Sequence, residues 1–183
     1  MRKLQSGLFV SLDGVVEAPE KWTFPYFSDE VGQVVGDSMQ SADTMLLGRR
    51  TYEEFAAYWS DKTAEDDPFA DYINDTPKYV VSTTLTSVDW RNATLIEGDV
   101  AAGITKLKEQ TGKNIGMTGS ATLVRWLLRE GLLDELWLLL YPIVVGGGKH
   151  LFEDWAGEMP LELADSKTFG NGVVSLTYRR AEA

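Results

Sequence analysis

The sequence predicts an α/β domain with a largely parallel sheet finished by antiparallel strands near its C-terminus. Strand-like and helix-like segments alternate from end to end, the order that builds a parallel sheet through crossover helices. The last third changes to near-continuous β-prone hydrophobes followed by a hairpin signal, and large mixed sheets commonly carry such an antiparallel edge. The length of 183 residues suits one domain at roughly 100–200 residues each. With no repeat and no Pro/Gly/Ser linker to divide it, the domain is read as residues 1–183.

Leu4 to Leu12 is apolar and β-prone and ends in the turn signal Asp13-Gly14. Val15 to Asp29, with Pro19, Trp22, Pro25 and Tyr26, follows neither period and reads as a long loop, a feature that is usually functional in a compact domain. Glu30 to Met39 is helix-like, weakened by Gly32 and Gly36. Thr44 to Leu47 is a short buried strand, and Gly48-Arg49-Arg50-Thr51 leads at once into a helix. There Tyr52, Phe55, Ala56 and Trp59 fall at i, i+3, i+4 and i+7 and share one face. Asp61 to Asp75 is acidic and loop-like, with a helical turn after Pro68. Lys78 to Val81 and Ala93 to Ile96 read as strands, and Ala101 to Gln110 as a helix closed by Gly112 at C′. Ile115 to Met117 is a strand running into Thr118-Gly119-Ser120. Ala121 to Arg129 is a helix with Leu123, Val124, Leu127 and Leu128 on one stripe, stopped by Gly131. Leu133 to Val145 is β-prone and broken by Pro142. Leu161 to Ala164, Lys167 to Phe169 and Val173 to Tyr178 complete the strands, with Asn171-Gly172 as the hairpin turn.

Composition removes whole classes of function. Lys and Arg number 17 against 28 Asp and Glu, a formal net charge of −11, the wrong sign for duplex nucleic acid or an anionic membrane surface. The absence of cysteine and the single histidine, His150, exclude a disulfide framework, a cysteine nucleophile and a Cys/His zinc site, so no metal is expected. The N-terminal residues turn polar too soon for a signal peptide, and no apolar window approaches the ~18 residues of a membrane span. A cytoplasmic protein is expected.

Gly146-Gly147-Gly148-Lys149 fails both glycine-rich nucleotide templates. A Walker A loop needs a Gly where Ile143 stands and a Ser or Thr where His150 stands; the dinucleotide pattern needs a Gly at Leu151. What remains is a bare turn, able either to approach a ligand closely or to bend the chain. His150 has no G-x-S-x-G serine to serve and reads as a loop histidine.

Arg49-Arg50-Thr51 is more informative, because free backbone N–H groups and the positive end of the helix dipole attract anions at such a strand-to-helix turn. Arginines placed there oppose the helix's own dipole, so an anionic ligand explains them better than pairing with Glu53 or Glu54. Ser82-Thr83-Thr84 and Thr118-Gly119-Ser120 hold the same position on two further strands, and open α/β sheets bind ligands at the carboxyl ends of their strands. Turns converging there on one extended polyanion describe a dinucleotide site. Asp13 is either a polar anchor beside the aromatic loop, for positioning or proton supply, or simply part of a tight turn. Trp22, Phe24, Tyr26 and Phe27 are either core or a stacking platform.

Several stretches taken in order carry a family resemblance: Val10-Ser11-Leu12-Asp13-Gly14, Leu47-Gly48-Arg49-Arg50-Thr51-Tyr52-Glu53, Val80-Val81-Ser82, Gly119-Ser120-Ala121-Thr122-Leu123-Val124, Gly131-Leu132-Leu133-Asp134-Glu135-Leu136 and Pro142 through Gly148. Together they resemble the dihydrofolate-reductase-like superfamily, and within it the RibD C-terminal domain family of bifunctional deaminase-reductases in riboflavin biosynthesis. The resemblance implies a three-layer α/β/α fold with a mixed, mostly parallel sheet, NADPH as hydride donor, a small pterin- or pyrimidine-like substrate, and commonly a homodimer built through the C-terminal strands. Carried over by position, Gly48, Arg49, Arg50 and Thr51 would hold the pyrophosphate and the 2′-phosphate. Ser82 and Thr83 would take the adenosine-side phosphate, and Gly119, Ser120, Ala121 and Leu123 the pyrophosphate and nicotinamide end. Substrate would lie between the cofactor and the loop Asp13 to Phe27, with Asp13 and Trp22 as its contacts and Asp13 as the one catalytic candidate. The register that carries the pterin-engaging carboxylate in dihydrofolate reductase falls here on Gly32, with Gln33 beside it. A non-catalytic NADP(H)-binding dimer, acting as sensor or structural protein, is the alternative.

Overall fold

β1 (Leu4–Ser11) lies inside an eight-stranded sheet in the computed structural model, which describes residues 1–181. Around it run β2 (Ala42–Gly48), β3 (Lys78–Val81), β4 (Ala93–Leu95), β5 (Asn114–Thr118), β6 (Glu135–Tyr141), β7 (Leu161–Thr168) and β8 (Val174–Arg180) in the order β4-β3-β2-β5-β1-β6-β8-β7. The strands β1 to β6 pair in parallel, and β8 runs antiparallel to both β6 and β7.

Side-chain alternation along the strands sorts the helices into two layers. Leu46 of β2 packs in one cluster with Ile104 and Leu107 of α4 (Val100–Glu109) and with Leu123, Val124, Leu127 and Leu128 of α5 (Ala121–Arg129). Its neighbours Met45 and Leu47 pack on the other face with Tyr52 of α2 (Arg49–Trp59) and Ile73 of α3 (Ala70–Asp75). On that same face α1 (Asp29–Gln40) buries Val31 with Leu139, Tyr141 and Phe169. The expected three-layer α/β/α architecture with a mixed sheet is therefore the observed one.

Local chemistry accounts for the element ends. Ser28 caps α1 by accepting from Val31 N–H, and Asp99 caps α4 by accepting from Ala102 N–H. At the end of α5, Gly131 adopts φ 67°, and the Gly131 and Leu132 amides bond back to Leu128 and Leu127, the Schellman arrangement. Gly112 does not play that part for α4, which ends at Glu109 with Gln110 extended. Gly112 is glycine for another reason: a Cβ there would lie 2.7 Å from the Asp43 carboxylate, which is paired with the buried Arg2.

Elsewhere the structure departs from the expected segments. The stretches expected as separate strands at Leu161–Ala164 and Lys167–Phe169 form one strand, because a bulge between Leu163 and Asp165 breaks the alternation without breaking the pairing. The turn expected after Pro68 is a helix, α3, fixed by a buried polar hub. Asn74 donates to Trp59 O and Lys62 O and accepts from the Trp90 indole, while the buried Lys78 ammonium donates to Asn74 O and Thr76 O at 2.8 Å each and stands 4.3 Å over the Trp90 ring.

Candidate functional site

The turns that follow β2 and β5 interlock. These strands are sheet neighbours, and across their carboxyl ends Gly48 N–H donates to Ser120 Oγ at 2.9 Å while the Ser120 and Thr51 hydroxyls lie 2.7 Å apart. Glycine is required on both sides. A Cβ on Gly48 would sit 2.8 Å from Ser120 Oγ, and one on Gly119 would sit 2.9 Å from Thr51 Oγ1. Gly119 (φ 62°) and Ser120 (φ 54°) are both left-handed, a conformation uncommon for a residue with a side chain.

This geometry leaves helix amides open. Ser120 stands at the N-cap of α5, yet its hydroxyl is turned across to Gly48 and Thr51 and caps nothing in its own helix. Among the described residues the amides of Ala121, Thr122 and Leu123 have no backbone acceptor, as expected of a first turn without a cap. The α2 N-cap, Gly48, likewise supplies no side-chain cap. Two helix N-termini, with their positive dipole ends, thus open at adjacent strand ends.

The arginines divide. Arg49 pairs with Glu53 at 2.9 Å along α2, which is the pairing expected if no ligand were involved. Arg50 is exposed and makes no ion pair or side-chain hydrogen bond among the described residues. One strand further out, the Ser82 hydroxyl accepts from Thr84 and Leu85 N–H and shapes its turn. Ser82 and Thr83, with Ile96, Gly98 and Val100, line an open cleft of about 480 Å³. Leu123 buries its side chain in the core, so only its amide is left for a ligand.

Asp13 and Trp22 occupy more defined places than the sequence indicated. The Asp13 carboxylate accepts from Ser11 Oγ at 2.6 Å, from Gly146 N–H at 2.8 Å and from Val145 N–H at 3.1 Å. Those hydrogen bonds, led by that of Ser11, hold its carboxyl down to about 2, so it is ionised at neutral pH and carries no proton to supply. Trp22, expected as a substrate contact, is instead a core residue: it is buried, its indole N–H donates to Glu17 O at 3.1 Å, and its ring meets Tyr141 edge-on. Phe24 and Phe27 of the same loop are exposed.

A second hollow, of about 260 Å³, lies between α1 and β6–β8–β7. Trp137 forms part of its lining and lies so close over Gly7 that a Cβ there would meet the ring at 2.7 Å. The buried Glu135 carboxylate at its edge is held by Lys3, Gln5 and Arg179. Nothing local in the sequence marks this hollow, since its walls come from five strands and a helix. Among the described residues no group of three or more His, Cys, Asp or Glu side chains is placed to hold a metal, and no helix is long and apolar enough to cross a membrane.

Known proteins share this architecture. The family model for the RibD C-terminal domain matches residues 2–175. The chain is 30% identical over 185 residues to "Uncharacterized protein YyaP" of Bacillus subtilis (strain 168), covering 97% of this chain and 94% of that one. A putative riboflavin biosynthesis protein from Shewanella sp. PV-4 is similar in structure with a TM-score of 0.79 at 21% identity, over 98% of this chain and 99% of that one. Dihydrofolate reductase from Enterococcus faecalis, complexed with NADP(H) and RAB-propyl, is similar with a TM-score of 0.66 at 14% identity, over 98% and 97% of the two chains. The fold is thus the dihydrofolate-reductase-like one. With the family model covering nearly its whole length, this chain belongs to the RibD C-terminal domain family.

Proposed function

We propose that the protein is an NADPH-dependent reductase that transfers hydride to a small pterin- or pyrimidine-like heterocycle, in a reaction of the kind used in riboflavin or folate biosynthesis. The observation that carries this reading is the interlock of Gly48, Thr51 and Ser120, which sets two uncapped helix N-termini side by side at the carboxyl edge of the sheet. Family membership supports a reductase-type role, and a fold neighbour is complexed with NADP(H).

The residues fit a dinucleotide. Gly48 and Gly119 present bare backbone where a side chain would collide, and among the described residues the amides of Ala121, Thr122 and Leu123 lack backbone acceptors, as phosphate oxygens require. Arg50 is the unshared cation for the 2′-phosphate, with Arg49 already engaged by Glu53, while Thr51 helps hold the pyrophosphate turn. Ser82 and Thr83 flank the cleft that would take the adenosine end. When bound, the cofactor supplies the hydride, and the protein's part is to hold and orient it. Asp13, ionised and tied to the glycine turn, does not deliver the proton, which this reading draws from solvent. The assembly is proposed to be a homodimer through the C-terminal strands, where β7 is the sheet edge and exposed along most of its length.

The non-catalytic alternative, an NADP(H)-binding sensor or structural dimer, draws on Gly32 standing in the carboxylate register and on Asp13 being fully engaged. Titration with NADPH tests binding, since ligand at a hundred times its dissociation constant adds ~2.7 kcal/mol of stability. Oxidation of NADPH with a panel of pterins, pyrimidines and quinones separates the two readings. An unchanged melting temperature with NADPH would contradict both.

A further inference from the structure

The loop between β6 and β7 is tied at both ends and bare at its tip. On the β1 side, Asp13 takes the Val145 and Gly146 amides, at 3.1 and 2.8 Å, and Leu12 N–H donates to Ile143 O at 2.8 Å. On the far side, Arg125 of α5, only 9% exposed, donates to Leu151 O at 3.0 Å and to His150 O at 3.2 Å. Its other nitrogen reaches Thr122 Oγ1 at 3.3 Å and lies 3.6 Å from Glu153. Between these ties, a Cβ on Gly146 or Gly147 would meet nothing within 4 Å, and Gly146 and Gly148 adopt φ 79° and 121°.

The tied loop also holds its neighbours. Val15 and His150 form an antiparallel bridge, flanked by Val16 N–H to Lys149 O at 2.9 Å and Leu151 N–H to Gly14 O at 3.0 Å. The start of the aromatic loop is thereby fastened to the end of the glycine turn. α5, which supplies Arg125, begins at the Gly119-Ser120 turn, so one short helix connects the candidate phosphate turn to the glycine loop.

We propose that Asp13 and Arg125 are positioning residues that clamp the two ends of the glycine turn, holding its tip in one conformation beside the substrate end of the nucleotide site. This rests on the reading of the protein as an NADP(H)-binding reductase. The carboxylate suits the task because it accepts from two amides at once, and its hydrogen bonds keep it ionised far below neutral pH. A turn with open glycines has many conformations to lose. Fixing both ends before ligand arrives lowers the ordering entropy of binding, which is the general advantage of preorganisation.

Amide hydrogen exchange and NADPH fluorescence titration on the full chain test this, with Asp13→Asn and Arg125→Lys compared with wild type and circular dichroism as the check on folding. Asparagine keeps one acceptor and replaces the other with a donor, so Asp13→Asn should speed exchange at Gly146 by about tenfold or more, the factor that ~1.4 kcal/mol corresponds to. Leu151 should change little. Arg125→Lys should loosen the Leu151 end and spare Gly146. Both should raise the dissociation constant for NADPH several-fold, and any fall in affinity from about pH 8 to 5, where the 2′-phosphate itself takes up a proton, should persist in Asp13→Asn. Unchanged exchange, released ends with unchanged affinity, or an acid limb that Asp13→Asn abolishes would each overturn the clamp. Wild type that fails to bind NADPH at all would remove the functional reading and the positioning role with it, whereas a clamp failure appears only in the variants.

Discussion

The Ser120 hydroxyl stands 2.7 Å from that of Thr51, joining the turn after β5 to the first turn of α2 across 69 residues of sequence. Ser120 also accepts from Gly48 N–H, so one side chain ties together both turns that the proposed function places against the pyrophosphate. Removing it leaves an amide and a hydroxyl without their partner. Ser120→Ala should lower stability by ~1 kcal/mol, the usual worth of a lost side-chain hydrogen bond, and weaken NADPH more than that loss alone explains. Chemical denaturation and NADPH titration on the same variant check both numbers.

Gly119→Ala meets two obstacles. Its φ of 62° disfavours alanine, and the new Cβ would sit 2.9 Å from Thr51 Oγ1. The expected loss is ~1–3 kcal/mol from backbone strain, plus the collision. Adding Thr51→Ala removes the collision and leaves the strain, so the double variant should recover part of the stability lost and none of the nucleotide affinity. Full recovery in urea unfolding would show that the left-handed conformation matters less than the contact.

Arg50→Ala should weaken NADPH far more than NADH, because the unshared guanidinium is assigned to the 2′-phosphate. Arg49→Ala should discriminate less, since Arg49 already pairs with Glu53 at 2.9 Å. Dissociation constants for the two cofactors on both variants decide it. Equal losses for NADPH and NADH in Arg50→Ala would show that this arginine does not read the extra phosphate.

Lys78 gives a prediction about stability and pH. Burial pulls its ammonium down from 10.5 to about 8 in the folded chain, so the unfolded chain keeps the proton to higher pH. Between those values the unfolded state binds more protons, and stability from this group rises with pH. Lys78→Met should remove that rise. It should also lower stability at pH 7 by ~1–3 kcal/mol by stranding the buried carbonyls of Asn74 and Thr76. Urea unfolding of both proteins from about pH 7 to 10 provides the comparison.

How legible these features were in the sequence follows from how local their causes are. α5 was read to the residue because a 3.6-residue apolar stripe and a left-handed Gly131 both act within the helix. The strand-end turns at Gly48, Ser82 and Gly119 were legible through topology, since each follows a β-prone run. α3 was not, because its order comes from Asn74, Lys78 and Trp90 meeting in the core rather than from its own six residues. Gly112 was misplaced as a helix cap because the contact that demands glycine, with Asp43 and Arg2, is distant in sequence. Asp13 was visible as an anchor, but its partners at Val145 and Gly146 lie 132 and 133 residues away. Trp22 has the composition of a stacking residue, and only its packing against Tyr141 shows where it goes.

Hydrogen exchange of the wild-type chain with and without saturating NADPH tests the central claim most directly. Amides at Arg49 to Thr51, Ser82 to Leu85 and Ala121 to Leu123 should all slow together when nucleotide is added. Protection at one of these segments alone, or at none, would show that the strand ends do not share a single phosphorylated ligand.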